Sequence, residues 1–159
     1  MHKLYMNWLQ DAYGMERSVL NMLQSQAKTA DPYPRIKKRI EKHIQETQRH
    51  ADLMHNAIER NGGKPSVTKS KLAAIVGALE GPATKAFKDK MTKIALADFA
   101  AEHFEIASYR ALRAAAKELG DKETVKACDR ILKDEERMAA FMDRNLPGVI
   151  KKTLQQPAH

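Results

Sequence analysis

The sequence predicts an all-α protein: a four-helix bundle with one long crossover connection. Three observations carry this. Apolar residues recur at three- and four-residue spacing through four long stretches. Helix formers (Ala, Lys, Glu, Leu, Met) are abundant, and only 7 glycines and 6 prolines interrupt them. Those breakers gather at a few points, leaving two short connections, which favour antiparallel neighbours, and one long one.

The first helix is expected over 3–27, where Tyr5, Leu9, Ala12, Val19 and Leu23 form one stripe. Asp31-Pro-Tyr-Pro34 stops it. The second is expected over 34–60, with Ile36, Ile40, Met54 and Ala57 on a stripe. Pro34 suits a first helical turn and Asn61-Gly-Gly63 a C-terminal stop. The long connection runs from Gly62 to about Phe87, with a short helix expected over 71–80. The third long helix is expected over 88–119 and ends at Gly120. The fourth starts at the N-cap candidate Asp121. It is expected to end near Asn145, because Pro147-Gly148 follow. Residues 1–146 then form the bundle and 147–159 a polar tail. A single crossover between the second and third helices is the ferritin-like variant of the bundle.

A chain of 159 residues fits one domain with a sizeable core, and 43% apolar with 30% charged residues is a soluble globular balance. One cysteine, Cys128, excludes an internal disulfide and fits a reducing compartment. No signal-like start and no run of about 18 apolar residues occurs, so no membrane partner and a cytoplasmic setting are expected. The net charge of +8 admits a polyanionic partner. The cations are scattered, however, with one local cluster at Arg35-Ile-Lys-Lys-Arg39, which favours a solvated face. Nothing resembles a recognition helix or a zinc finger, so sequence-specific nucleic acid binding is not expected.

The chemistry lies in the core-facing slots. On the third helix they read Met91, Ala95, Asp98, Glu102, Glu105, Tyr109, Leu112, Ala116 and Leu119. Three consecutive slots hold acids. The fourth helix reads Val125, Cys128, Leu132, Glu135, Ala139, Met142, Leu146, and the first reads Tyr5, Leu9, Ala12, Glu16, Val19, Leu23. The second helix reads Ile36, Ile40, His43, Thr47, His50, Met54, with Glu46 at its edge. Each helix therefore brings an acid to the core near its middle. An unpartnered buried carboxylate costs several kcal/mol or protonates, and a group of them repel one another. No lysine or arginine occupies the neighbouring slots. A pair of divalent cations would compensate better, and glutamates converging from separate helices build di-iron and di-manganese sites. Carboxylate and imidazole suit iron or manganese; the lack of thiolates argues against structural zinc. Tyr109 and Tyr13 stand near acids as packed aromatics or as donors to a ligating carboxylate.

These residues also resemble a known family. Glu16, "HIQETQRH" on the second helix, "AEHFEIASYRAL" on the third and "LKDEERMAAF" on the fourth are similar to the YciF/YciE family of bacterial ferritin-like proteins linked to stress responses. The resemblance runs from about Leu4 to Met142, and the third-helix motif is its most specific part. It implies a ferritin-like fold and a homodimer. By position it makes Glu16, Glu46, Glu102, Glu105 and Glu135 candidate metal ligands. The Glu102/Glu105 pair is similar to the doubled glutamates of rubrerythrins.

The residues also depart from the usual di-iron pattern, which has Glu-x-x-His on the second and fourth helices. Arg49 follows Glu46 by three and Met138 follows Glu135 by three. His50, four residues after Glu46, can substitute, with His43 a second option; the fourth helix offers no histidine. The leading expectation is a carboxylate-rich site for two iron ions, or manganese, in an oxygen- or peroxide-related protective protein. The alternatives are a metal-independent structural or stress-protective dimer, and non-specific polyanion binding through the basic surface. Whether the protein is an enzyme stays open.

Overall fold

The computed structural model describes residues 2–67 and 89–155. Its elements are α1 (His2–Thr29), α2 (Pro34–Arg60), α3 (Lys90–Glu118) and α4 (Lys122–Leu154). The short helix expected over 71–80 lies outside the described residues. Among those residues no helix is long and apolar enough to cross a membrane.

Local chemistry sets the ends. α2 starts on Pro34, whose fixed φ suits a first turn. α2 and α3 stop by the same device. Gly62 (φ 80°) and Gly120 (φ 73°) take the left-handed conformation that a Cβ disfavours. The Gly63 amide then reaches back to the Ile58 carbonyl at 2.9 Å, and the Asp121 amide to the Ala116 carbonyl at 2.9 Å. Asp121 at once caps the next helix: its Oδ1 accepts from the Thr124 amide at 3.0 Å.

α1 packs on α2 and α3 on α4 as antiparallel hairpins, and the hairpins meet through α2 against α4 and α1 against α3. Polar contacts fix the directions. Asp121 Oδ2 accepts from Tyr5 at 2.9 Å and from Asn61 at 3.0 Å, which puts the start of α1, the end of α2 and the α3–α4 turn at one end. Gln26 donates to Asp98 at 2.6 Å, which puts the end of α1 beside the start of α3. α2 thus ends at one pole and α3 begins near the other. That placement of the two helix ends is the one a ferritin-like arrangement requires.

The seam slots of α1 and α2 are all buried, and so are those of α3 down to Ala116. Leu119, past the end of α3, is 41% exposed. On α4 the expected Cys128, Glu135, Ala139 and Met142 are buried, but the buried face is shifted at the other positions. Ile131 and Met138 are fully buried, while Val125, Leu132 and Leu146 are only partly so. The expected end of α4 near Asn145 is also corrected: the helix passes through Pro147 and continues to Leu154. Proline costs that turn an amide bond, but packing beyond it holds. Val149 is buried, Thr153 meets Thr92 at 2.9 Å, and the Lys152 ammonium sits 4.4 Å from the centroid of the Tyr33 ring.

Candidate metal centre

Midway along the bundle the core turns polar. Glu16 from α1, His43, Glu46 and His50 from α2, Glu102 and Glu105 from α3 and Glu135 from α4 are each at most 1% exposed. Helical spacing explains the convergence. Glu102 and Glu105, three apart, share a face, as do His43 and His50, seven apart.

Glu135 is the pivot. Its Oε1 lies 2.8 Å from His50 Nδ1 and its Oε2 lies 3.3 Å from His43 Nε2. Each imidazole nitrogen faces one further acid: His50 Nδ1 is 3.6 Å from Glu16 Oε2, and His43 Nε2 is 3.2 Å from Glu102 Oε1. Two three-residue groups result, Glu16–His50–Glu135 and His43–Glu102–Glu135, with the donor atoms of each within 4.8 Å of one another. Ligands about 2.1 Å from a common ion would span about 4.2 Å across it, so both groups fit a small cation.

The inward atoms are close without meeting in hydrogen-bond geometry. Glu16 Oε2, His43 Nε2, His50 Nδ1 and both carboxylate oxygens of Glu102, Glu105 and Glu135 have no hydrogen-bond partner among the described residues. Buried polar atoms are nearly always satisfied. Here a set of them converges from four helices, which is the geometry of donors facing common points between them. This is the observation on which a metal pair fits these residues.

The outward sides are, by contrast, satisfied. His43 Nδ1 meets Glu46 Oε2 at 3.0 Å, and His50 Nε2 meets Asp134 Oδ2 at 3.1 Å. Each imidazole thus has one nitrogen on the site and the other on a carboxylate, the arrangement that fixes tautomer and ring orientation in metal-ligating histidines. Tyr109 donates to Glu16 Oε1, so of its two readings the hydrogen-bond donor is the observed one.

Electrostatics follow from burial and these pairings. Burial holds Glu16 and Glu105 above the usual carboxylate range, Glu105 well above, with Glu135 adding to both; it holds Glu102 at about 8. Burial pushes Glu135 up as well, but its contacts with His43 and His50 outweigh that, so it keeps its charge. Burial also opposes charge on His50, yet Glu16 and Glu135 raise it to about 10; Glu102, Glu135 and Glu46 raise His43 in the same way. The cluster therefore balances its own charge by holding protons on acids and imidazoles alike.

The expected residues are thus all in the core, with different placements. Glu16, His50, Glu102 and Glu135 belong to the two donor groups, and Glu105 packs against them. Glu46 stands one layer out. Its carboxylate is engaged by Arg39 at 2.7 Å and by His43, and it is held down at about 2 because these outweigh its burial. Arg39, 12% exposed in its side chain, is therefore not simply part of a solvated cluster. His43, the second option by sequence, occupies the inward position instead. It makes up for the histidine that α4 lacks, where Met138 fills the slot as a buried apolar side chain. Asp134 had no sequence signal beyond adjacency to Glu135. Asp98 is buried but accepts from Gln26. Tyr13 packs against His55, and the exposed His103 against Phe99. Cys128 is a buried thiol pushed up to about 12 by burial.

The family described as "Domain of unknown function (DUF892)" matches residues 1–155. A crystal structure of a protein from Xanthomonas campestris is similar over 97% of this chain and 95% of that one, at 32% identity and a TM-score of 0.81. The E. coli stress protein YciF is similar over 94% of this chain and 96% of its own, at 19% identity and a TM-score of 0.75. A ferritin-like, diiron-carboxylate protein from Bacillus anthracis is similar over 91% and 96%, at 21% identity and a TM-score of 0.74. The last two share the fold with this chain: a ferritin-like helical bundle, as the sequence predicts.

Proposed function

This chain belongs to the DUF892 family, a YciF-like branch of the ferritin-like bundles, and we propose that it is a dinuclear metal carboxylate protein holding two iron ions, or manganese. One observation carries the reading. Glu135 offers one oxygen to each of two His/Glu groups whose inward atoms lack hydrogen-bond partners. The charge count supports it. Glu16, Glu102, Glu105 and Glu135, once ionised, offset two divalent ions with His43 and His50 neutral.

The residues would divide the work as follows. Glu16 and His50 hold one ion, His43 and Glu102 the other; Glu135 serves both, and Glu105 completes the donor set. Glu46 and Asp134 orient the imidazoles, and Tyr109 holds Glu16. Leu9, Met15, Met54 and Met138, buried in the same core, keep the bundle interior apolar above and below these residues in sequence. When bound, such an ion pair supplies two-electron exchange with dioxygen or peroxide, which links the site to a protective role under stress. Loading would displace protons from the acids and imidazoles, since ligands bind deprotonated. The test is metal content after aerobic purification without chelator, and after reconstitution. About two iron or manganese ions per chain are expected, falling below one in Glu135→Ala; a wild-type chain that takes up neither metal overturns the reading.

The self-balanced protons favour a second reading, a structural bundle that works without metal. Glu16→Gln with Glu135→Gln would then preserve or raise thermal stability, and added metal would change nothing. We also propose the homodimer. Leu4 and Trp8 stay exposed on α1, at 53% and 43%, next to a shallow groove of about 300 Å³ lined by Trp8, Ala111 and Leu112. Light scattering on the wild type and Trp8→Glu decides it; a dimer that Trp8→Glu dissociates is expected.

A further inference from the structure

We propose that the cleft between α2 and α4, on the outer side of His50, binds a small multivalent oxyanion of the phosphate class. The cleft has a volume of about 500 Å³, within the range of small-ligand sites. Arg49 from α2 and Arg130, Lys133 and Arg137 from α4 line it. Arg137 is committed to Asp134. Arg49, Arg130 and Lys133 have no ion pair or hydrogen bond among the described residues.

Several other surface cations of α3 and α4 do find acids: Arg110 meets Glu136 at 2.9 Å, Arg113 meets Asp129 at 2.5 Å and Lys126 meets Glu123 at 2.8 Å. What sets Arg49, Arg130 and Lys133 apart is that they line one cleft together. The acids facing the cleft are already occupied. Asp134 is held by His50 and Arg137, and Asp52 accepts from Gln48 at 3.1 Å. Arg49, Arg130 and Lys133 outnumber the one carboxylate there without a cation, Asp52, so the cleft keeps an excess of positive charge that repels itself and focuses a positive potential. An anion placed there offsets that repulsion, and guanidinium forks suit tetrahedral oxyanions.

The lining also sets the class of ligand. Leu53 is its one large apolar side chain and it contains no Phe, Tyr or Trp; its one ring, the His50 imidazole, is 2% exposed, so little ring surface is open to stack a base or a sugar. Recognition is by charge, which selects a compact anion. The His50–Asp134 contact forms part of the wall, so the cleft and the mid-bundle carboxylates lie on opposite sides of one imidazole. The inference does not rest on the metal reading.

Calorimetric titration with inorganic phosphate and with pyrophosphate tests it, on chelator-treated and on iron-loaded protein. One site per chain is expected in both preparations, with pyrophosphate the tighter ligand. Arg49→Gln with Arg130→Gln, both exposed, should weaken pyrophosphate by about tenfold or more. Lys3→Gln with Lys28→Gln removes the same charge elsewhere and should change it by less than about twofold. Circular dichroism checks that both variants are folded. No saturable binding, or equal losses in the two double variants, overturns the site. Salt-sensitive retention of duplex DNA without pyrophosphate binding would also overturn it, in favour of an extended phosphate backbone.

Discussion

Two carboxylate-centred clusters lie in this bundle, and they solve the problem of burial in opposite ways. At the pole, Asp121 accepts from Tyr5, Asn61, the Thr124 hydroxyl at 2.7 Å and the Thr124 amide. These bonds outweigh its partial burial and hold its carboxyl below the usual range. At mid-bundle, Glu102 and Glu105 have no hydrogen-bonded oxygen at all, and burial pushes both up. A polar cluster that serves the fold closes on itself. A cluster built to hold an ion, as proposed for the mid-bundle one, would leave its inward atoms open and satisfy only its outward ones. The contrast locates the site more sharply than any count of acids.

The comparison can be broken in several ways, of which metal loading has the largest expected effect. A ligand at about a thousandfold its Kd stabilises by about 4 kcal/mol. In a chain of this size that is a rise in Tm of about 10 °C, read by scanning calorimetry with and without iron or manganese. No rise would make the mid-bundle cluster as self-contained as the Asp121 one. Next comes Asp121→Ala, which removes a helix cap and strands three donors. A loss of about 3 kcal/mol is expected, with metal stoichiometry unchanged. Loss of metal with it would show the clusters are not separate.

Glu46→Gln probes the outward side of the site. It leaves every inward atom in place but alters the partner of His43, so metal affinity should fall about 10- to 100-fold, measured by chelator competition. An unchanged affinity would remove Glu46 from the assembly. The smallest effect is in pH. Glu102 held at about 8 and His50 at about 10 mean that the folded chain binds more protons than the unfolded one between the ordinary carboxylate range and about pH 10. With chelator present, stability from this cluster therefore declines as pH rises through that window. Asp121, held down, contributes above its ordinary pKa and loses that contribution in acid. Tm at pH 6 should exceed that at pH 9 in chelator; the reverse order would contradict the protonated core.

Much of this was legible in the sequence. The three- and four-residue spacing fixes which residues of α1, α2 and α3 face inward, because their apolar and polar positions leave one consistent rotation. On α4 it does not. Ile131 and Leu132 adjoin, as do Met138 and Ala139, so two rotations both look apolar; packing favours Ile131 over Leu132 and buries Met138 and Ala139 alike. Pro147 misled because its cost is local while its compensation, through Val149, Thr92 and Tyr33, comes from other elements. The outward turn of Glu46 and the inward one of His43 have the same origin. Spacing places both on the inner side of α2, but Arg39 and the Arg137 side chain at 3.9 Å draw the carboxylate outward. A seam shows which face a residue occupies, and neighbours decide where its side chain turns.

His43 and His50 ride on one helix, two turns apart, with ring centroids 6.5 Å from each other. That makes α2 a ruler. Helical pitch puts their backbones about 10.5 Å apart, seven residues at about 1.5 Å each, and the side chains turn toward one another to close that. Glu16 and Glu135 have no such scale, since each arrives alone from another helix. Any loosening of the bundle must therefore degrade the site asymmetrically. Sliding or splaying α4 withdraws Glu135 from both halves in one motion, while the histidine pair keeps its gauge.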